Sequence, residues 1–347
     1  MKGMLAVLLF TVLTATCWGV YGPVLHEGQA GMGVRQGEKV MSHSRWRPFV
    51  CVGLAYFVIA VVVPGAMLAT RGETGHWSAA GTNWSLAAGA AGALGALGII
   101  LAFNYHGNPI YVMPLVFGGA PVINTFTTMY MSKTYKEAGP LFFAGLILVV
   151  AGAVTVMVFK PAPLHGGAHA SLTSREIVFV GLSIALAALS WGVYGPVLHK
   201  GQMAMAGSRL RPLICVGISY FLIAVVIPSV ILWQYGEPGQ WTPEGTVWSL
   251  AGGAAGAIGA LGIIMAFTFG GKPLYVMPLV FGGAPVINTF TTILSKGSFE
   301  GASPLFYAGL IIVGVGAVTV LVFAPRSGHK PASMKHEAVR DPAGHTV

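Results

Sequence analysis

Long apolar runs separated by short polar connections dominate the chain. Ten of these runs are each about as long as the roughly 20 residues that a helix needs to cross a bilayer, and the charged residues avoid them. They lack the alternation of apolar and polar positions that the roughly ten-residue strands of a membrane barrel would show, so they predict helices. The predicted spans cover residues 4–24, 49–69, 85–103, 111–131, 140–159, 177–197, 213–233, 249–268, 275–294 and 304–323.

Much of this pattern occurs twice. The eighteen residues YVMPLVFGGAPVINTFTT at Tyr111–Thr128 recur unchanged at Tyr275–Thr292. WGVYGPVLH at Trp18–His26 also recurs, at Trp191–His199. Self-similarity over half a chain indicates two copies of one structural unit. Five predicted spans fall in each copy, and because five is odd, the second copy must enter the membrane from the opposite side, as in an inverted-topology repeat.

We therefore expect an all-α membrane protein with ten transmembrane helices in two inverted five-helix repeats. The first repeat covers residues 1–159 and the second covers 177–323, joined by a Pro-, Gly- and Ser-rich linker at 160–176. The polar tail at 324–347 has the composition of a disordered segment. The first copy also has a longer connection than the second, around Gly33–Ser42, which we interpret as a loop extension.

Composition supports a membrane protein. Only 8% of the 347 residues are charged, 55% are hydrophobic and the mean hydropathy is +0.74, whereas a soluble domain carries about 25% charged residues. The first span resembles a signal peptide, but residues 5–26 match the internal residues 178–199, so we expect it to remain as a helix. Cys17, Cys51 and Cys215 lie inside spans without metal-type spacing, which favours buried apolar roles.

The distribution of Lys and Arg gives an orientation. With the N-terminus inside, twelve of the 19 Lys and Arg fall on the cytoplasmic side and seven on the other. The positive-inside rule then places both termini in the cytoplasm, with the chain integral to a membrane such as the bacterial inner (plasma) membrane. Basic residues in the loops and the tail account for the net charge of +9, where they orient the chain and contact anionic lipid headgroups. We therefore expect no nucleic-acid partner.

Spans four and nine carry features typical of a transport site. Each holds two prolines around a Gly-Gly pair, and proline removes a backbone donor and clashes with the preceding turn. We expect broken, kinked helices here, with substrate-binding polar groups one turn further on, since such breaks in corresponding positions of two halves mark transport sites. The alternative is that the prolines only kink the helices and that the asparagine amides bond a neighbouring helix. The predicted kink and gating residues are Pro114, Pro121, Pro278 and Pro285, and the polar residues are Asn124, Thr128, Asn288 and Thr292.

Spans one and six end in aromatic residues and histidine. Trp18, Tyr21, Trp191 and Tyr194 are candidates for stacking on a substrate in a cavity, with an aromatic belt at the membrane interface as the alternative. His26 and His199 follow, and because histidine titrates near neutral pH, they are candidates for a proton relay. An interfacial histidine at a helix end is the alternative role.

Two further patterns narrow the function. Glycine recurs every third residue from Gly89 to Gly98 and from Gly253 to Gly262, which favours close helix packing and also suits a sliding surface. No Asp, Glu, Lys or Arg lies deep in a span. A strongly anionic substrate would therefore lack a buried counter-charge, and the membrane carboxylate common in proton-coupled carriers is missing. These features predict a neutral or zwitterionic solute and no metal or cofactor.

The predicted arrangement of ten helices in two inverted copies resembles that of the drug/metabolite transporter superfamily (EamA-like). The Trp-Gly that closes spans one and six, followed by Gln29 and Gln202, is similar to the glucose/ribose uptake and ureide permease-like branch. The resemblance implies a central cavity with alternating access, surrounded by spans one, three, four, six, eight and nine.

We therefore expect a secondary transporter, a carrier of a small polar, uncharged or zwitterionic metabolite, and not an enzyme. Intramembrane catalysis would need a nucleophile, a metal set or an acid pair at depth, and the spans supply none. The other class considered is a non-transporting membrane scaffold or lipid-interacting protein. The paired Asn and Thr residues favour the carrier.

Overall fold

Helices make up almost all of the computed structural model. It describes residues 2–37, 39–133, 139–159, 173–296 and 303–323. Most of the predicted linker, residues 160–172, and the predicted tail lie outside the described residues. The helices are α1 (Lys2–Gly31), α2 (Trp46–Phe57), α3 (Val63–Arg71), α4 (Ala79–Asn104), α5 (Pro109–Ser132), α6 (Pro140–Val158), α7 (Ser174–Ala204), α8 (Leu210–Tyr220), α9 (Ile227–Tyr235), α10 (Pro243–Thr268), α11 (Pro273–Lys296) and α12 (Pro304–Phe323).

Eight helical segments in the described part of the chain are long and apolar enough to cross a membrane, so the chain is an all-α integral membrane protein. In two of them, Trp46–Arg71 and Leu210–Tyr235, a π-helical turn joins α2 to α3 and α8 to α9. Pro64 and Pro228 follow these turns. A π turn accommodates a proline because the missing N–H and the ring clash disturb the regular ladder. The remaining two helices, α6 and α12, contain shorter apolar segments.

Helices α5 and α11 are continuous from Pro109 to Ser132 and from Pro273 to Lys296, so the predicted break in each is wrong. Their internal prolines are Pro114 and Pro121, and Pro278 and Pro285. Neighbouring helices and Ser or Thr side chains can compensate for a proline inside a membrane helix. Here the Thr125 hydroxyl donates to the Pro121 carbonyl, 2.8 Å away.

The longer connection of the first copy forms a hairpin. Strands β1 (Val34–Gln36) and β2 (Lys39–Ser42) pair antiparallel between α1 and α2. The extra residues therefore form a strand pair where the sequence predicts only a loop extension.

Close glycine packing holds the helices together, as the spacing predicted. A side-chain carbon on Gly89 or Gly253 would meet Val216 or Val52 at 2.7 Å, closer than side chains pack. Helices α6 and α12 form a separate pair in the same way, with Gly152 against Val313. Backbones without side chains can approach closely in lipid, where packing replaces the hydrophobic drive of water.

Equivalent helices contact each other in a two-fold pattern. The Asn124 side-chain amide near the end of α5 reaches Pro273 at the start of α11, and Asn288 of α11 reaches Pro109 at the start of α5. Helices α5 and α11 therefore run in opposite directions. The apolar core lies between these helices and α1, α4, α7 and α10.

Candidate functional site

A small chamber lies in the core where the two copies meet. Six aromatic residues line it, three from each copy, and the two glycines Gly92 and Gly256 complete its wall. The aromatic residues are Trp18, Tyr21, Tyr56, Trp191, Tyr194 and Tyr220. Trp18, Tyr21, Trp191 and Tyr194, the four aromatic residues predicted to line a cavity, are all among them. We call this space the central chamber.

The rings of the central chamber face their own equivalents. The ring centroids of Trp18 and Trp191 lie 6.0 Å apart with the rings nearly parallel. Those of Tyr56 and Tyr220 lie 3.6 Å apart and are stacked. Edge contacts join Trp18 to Tyr194 at 6.1 Å between centroids. Such stacked and edge-to-face arrangements stabilise aromatic clusters, and they build a symmetric apolar wall.

Glycines set the position of both indoles. The Trp18 Nε1 donates to the Gly256 carbonyl at 3.3 Å, and Trp191 Nε1 donates to the Gly92 carbonyl at 3.1 Å. One turn along each helix, Gly259 and Gly95 face the same indoles so closely that a side-chain carbon would overlap them. The glycine repeat therefore makes room for the tryptophans as well as for the helix backbones.

Two hydroxyls in the central chamber lack a hydrogen-bond partner in the described part of the chain. The hydroxyls of Tyr21 and Tyr194 are buried, and neither makes a hydrogen bond among the described residues. Each tyrosine is only 3% exposed. A buried hydroxyl without a partner costs free energy, so these two groups are available to a polar guest.

The central chamber is nearly closed in this conformation. Its free volume is about 20 Å³, and a cavity needs roughly 10–15 Å³ on this measure to hold one water molecule. None of its lining residues in the described part of the chain is charged. A molecule larger than water would fit only if the helices moved apart, and it would then meet aromatic faces and neutral hydroxyls.

The predicted amide residues lie outside this chamber. Asn124 and Asn288 are fully buried, and each donates from Nδ2 to the carbonyl of Pro273 or Pro109 at 3.2 Å. Bonding to a neighbouring helix is the alternative that the sequence left open. The Oδ1 atom of each amide has no partner among the described residues, so one acceptor on each remains available.

The predicted threonines and histidines lie near the helix ends. Thr128 and His199 line a second cavity between α5, α7 and α11. Thr292 is buried and donates to the Asn288 carbonyl at 2.8 Å. The His26 ring lies 4.7 Å from the His43 ring, measured between centroids. The structure thus brings together the aromatic part of the predicted site and distributes its polar part along α5 and α11.

Sequence reasoning missed the outer pair of tyrosines. Tyr56 and Tyr220 lie in spans two and seven, which we had not considered for the site. A signal was present, because Tyr-Phe occurs at matching places, 56–57 and 220–221, after matching Cys51 and Cys215. A tyrosine inside an apolar span in both copies has a hydroxyl that needs a partner.

Sequence reasoning also missed two buried carboxylates at the helix ends. Glu237, in the connection before α10, accepts hydrogen bonds from the Ser44 hydroxyl at 2.6 Å and the Arg45 N–H at 2.7 Å. Arg47 donates to its carbonyl oxygen at 2.8 Å and lies 3.3 Å from its carboxylate. The Glu237 side chain is 4% exposed. It caps the start of α2 and joins the second copy to the first.

Glu73, in the connection before α4, makes the equivalent contacts. It accepts from the Ser208 hydroxyl at 2.5 Å and the Arg209 N–H at 2.8 Å, and its side chain is 1% exposed. Arg211 donates to the neighbouring Thr74 carbonyl at 3.2 Å. Burial by itself raises the pKa of the Glu73 carboxyl, but the hydrogen bonds outweigh it and hold that pKa below the ordinary value. We call Glu73 with 208–211, and Glu237 with 44–47, the two latches.

Gly-Glu after the second span of each copy, at 72–73 and 236–237, marks both latches in the sequence. The sequence places both acids outside the predicted spans. Their partners could be identified only once the connections of one copy were known to reach the other.

Comparison with known proteins adds the fold alone. No protein-family model matches the chain, and no curated protein matches it. A solved structure described only as the crystal structure of a protein superposes with a TM-score of 0.58 at 16% sequence identity. The superposition covers 92% of this chain and 97% of that one. The fold is therefore shared over nearly the whole length of both chains.

Proposed function

We propose that this protein is a secondary carrier that moves a small polar, uncharged or zwitterionic metabolite by alternating access. The single observation that carries the proposal is the central chamber, which equivalent residues of the two copies build on their two-fold contact. Inverted repeats of carriers place their substrate site at this kind of interface. A scaffold or lipid-binding protein would need no chamber with unpartnered hydroxyls at its centre.

The proposal includes the topology. α6 and α12 complete ten spans, five in each copy, and the opposite directions of α5 and α11 support an inverted repeat. By the distribution of Lys and Arg, both termini face the cytoplasm of a bacterial inner membrane. The resemblance to the drug/metabolite transporter superfamily agrees with this arrangement and remains a proposal.

The aromatic walls suggest how a solute would be held. Trp18 and Trp191 offer faces for stacking on a sugar ring or a heterocycle, and Tyr21 and Tyr194 offer hydroxyls. The free Oδ1 atoms of Asn124 and Asn288 would serve as acceptors along the path. No charge lines the central chamber, so a solute with net charge would pay a large desolvation cost there.

The latches suggest how access would alternate. Each joins the connection after the second span of one copy to the helix start of the other. The two latches lie at opposite ends of the bundle. Glu237 bonds residues that follow α1, whose Gln29 donates to Ile100 near the end of α4. Glu73 bonds residues that follow α7, whose Ala204 accepts from Ser78 at the start of α4. Opening one end would break its latch while the other stays formed.

Uptake into proteoliposomes tests the proposal. We expect the purified protein to take up one class of solute from a panel of sugars, ureides, nucleobases and amino acids. Trp18→Ala and Trp191→Ala should each abolish that uptake. Trp233→Phe is the matched control, because Trp233 is 84% exposed on the outer surface. Uptake equal to protein-free liposomes across the panel, or unchanged uptake in both chamber variants, would contradict the carrier.

A further inference from the structure

We propose that the cavity between α5, α7 and α11 binds the oxyanion group, carboxylate or phosphate, of a small solute. It has a volume of about 400 Å³ and lies at the end of the bundle where α5 and α7 finish and α11 begins. We call it the basic vestibule, because Lys200 and Lys272 line it. The other lining residues that bear on its chemistry are Thr128, His199 and Leu274. The role of this cavity as the entrance of a carrier rests on the proposed function. Its capacity to bind an oxyanion does not.

The start of α11 lacks the cap that its equivalent has. In α5, the Asn108 side chain accepts a hydrogen bond from the Ile110 N–H at 3.0 Å. Lys272 stands at the matching place before α11, and a lysine side chain has no acceptor. The matching N–H of Leu274 therefore cannot be capped in this way, and Leu274 lines the vestibule. Helix N-termini attract anions through such free N–H groups and the helix dipole.

Two side-chain atoms in the basic vestibule are buried without a partner. The Thr128 Oγ1 and the His199 Nδ1 make no hydrogen bond among the described residues. The contrast with the other copy is informative, because Thr292, the equivalent of Thr128, donates to its own helix at Asn288. Both free atoms can donate to an oxyanion, the hydroxyl directly and the imidazole as the Nδ1–H tautomer.

The charged side chains that line the basic vestibule are basic. Lys200 and Lys272 line it, and none of its lining residues in the described part of the chain is a carboxylate. The Lys200 ammonium lies 4.0 Å from the centroid of the Trp84 ring, a cation–π contact that positions the charge. In the other copy the corresponding residues are Glu27 and Asn108, so the duplication has been altered to make one end basic. The substitutions make the vestibule end better suited to an anionic group than its equivalent in the other copy.

Nearby residues of α7 line the basic vestibule and the central chamber. Along α7, His199 follows Tyr194 by five residues, or about 7.5 Å of helix rise. Gly195 lies between Tyr194 of the central chamber and Pro196 of the vestibule. Met277 of α11 packs on it so closely that a side-chain carbon on Gly195 would meet the Met277 Cγ at 2.5 Å. If Met277 moves, a solute whose oxyanion rests in the vestibule would place its uncharged part among the aromatic rings. The inferred substrate class is a small zwitterionic metabolite, whose carboxylate or phosphate is balanced by a cationic group of its own, in agreement with the uncharged lining of the central chamber.

Ligand-dependent thermal stability of the full chain tests this inference. Purified protein in uncharged detergent micelles would be titrated with sodium acetate and, separately, inorganic phosphate, at constant ionic strength set with chloride. We expect a saturable rise in Tm. Lys272→Asn should weaken the apparent affinity about tenfold, since it removes one charge-assisted contact, and Thr128→Val should weaken it as well.

The variants separate binding from folding. Lys272→Asn installs the residue that caps α5, so its ligand-free Tm should not fall. Arg71→Gln removes an equal charge from the exposed end of α3 and should bind as wild type does. The assignment would be overturned if the wild type and the three variants all responded equally to the anions, or if none of them responded. So would a Lys272-dependent response to added phosphatidylglycerol but to neither small anion, which would indicate a lipid headgroup. Because no transport is measured, failure here leaves the uptake result intact, and the reverse also holds.

Discussion

The Ser44 hydroxyl donates a 2.6 Å hydrogen bond to the buried carboxylate of Glu237, although 193 residues separate the two in sequence. Ser208 makes the equivalent bond to Glu73. Each bond ties a helix start in one copy to a connection in the other. The two copies are therefore held together at both ends of the bundle by carboxylates that carry several donors.

Replacing a latch carboxylate should destabilise the protein. In Glu237→Gln, one carboxylate oxygen becomes an amide N–H that faces the donors of Ser44 and Arg45. We expect the free energy of unfolding to fall by about 1.5–3 kcal/mol, the range for hydrogen bonds to charged groups, measured by denaturant titration in detergent. Glu27→Gln is the control, because Glu27 is exposed, and it should change stability by less than about 0.5 kcal/mol. An equal loss in both variants would rule out a specific latch.

The Glu73 latch should weaken only in acid. Its folded pKa lies below the ordinary value of 4.5, so its stabilising effect is fully present above that value and is lost as pH falls through the lower folded pKa. The difference in Tm between wild type and Glu73→Gln should therefore stay constant from neutral pH down to about 4.5 and shrink below it. A difference that closes as pH rises would contradict the depressed pKa.

Much of the fold could be predicted from the sequence because apolar length and self-similarity are visible in it. The helices occur where the runs predicted them, and Gly89 and Gly253 pack as their spacing indicated. The continuity of α5 and α11 could not be predicted. Whether a proline such as Pro121 breaks a helix depends on the groups around it, and here Thr125 donates to its carbonyl.

The site was predictable only in part. Trp18 and Trp191 could be named from their repeated motif, but no sequence pattern showed that the two indoles meet 6.0 Å apart. Tyr56 and Tyr220 were missed because spans two and seven contain no functional motif and resemble only each other. Contacts between copies are set by tertiary packing, and local patterns do not encode them.

Removing the free hydroxyls of the central chamber should separate binding from stability. Tyr21→Phe and Tyr194→Phe delete groups that have no hydrogen-bond partner among the described residues. Stability should stay level or rise by up to about 1 kcal/mol, since an unpartnered buried hydroxyl is costly. The apparent affinity for the transported solute should fall about tenfold with the loss of one hydrogen bond.

Concentration-dependent uptake and thermal unfolding measure the two effects. Tyr235→Phe, at an 81% exposed position, should change neither quantity. Loss of stability with unchanged affinity in Tyr21→Phe and Tyr194→Phe would show that the hydroxyls serve the fold and not the solute.

Adding one methyl group beside an indole should disturb the central chamber. Gly95→Ala and Gly259→Ala would place a carbon against Trp191 and Trp18. Overpacking of this kind costs about 1–3 kcal/mol, and we expect lower thermal stability and slower uptake. Gly181→Ala, where nothing lies within 4 Å of the added carbon, should leave both unchanged or raise stability slightly. Tolerance at Gly95 and Gly259 would show that the indoles can move freely.

The central claim is that a solute passes because the two ends of the bundle open in turn. A reversible disulfide across one latch tests it most directly. Glu73→Cys and Ser208→Cys would be combined in a background with Cys17, Cys51 and Cys215 replaced by Ala, and uptake would be measured after oxidation and again after reduction. Each single cysteine variant, oxidised in parallel, is the control.

We expect complete cross-linking, read from the loss of thiol labelling, to abolish uptake, and reduction to restore it to the level before oxidation. The single variants should be insensitive to the oxidant. Undiminished uptake by the fully cross-linked protein would contradict alternating access through this end of the bundle.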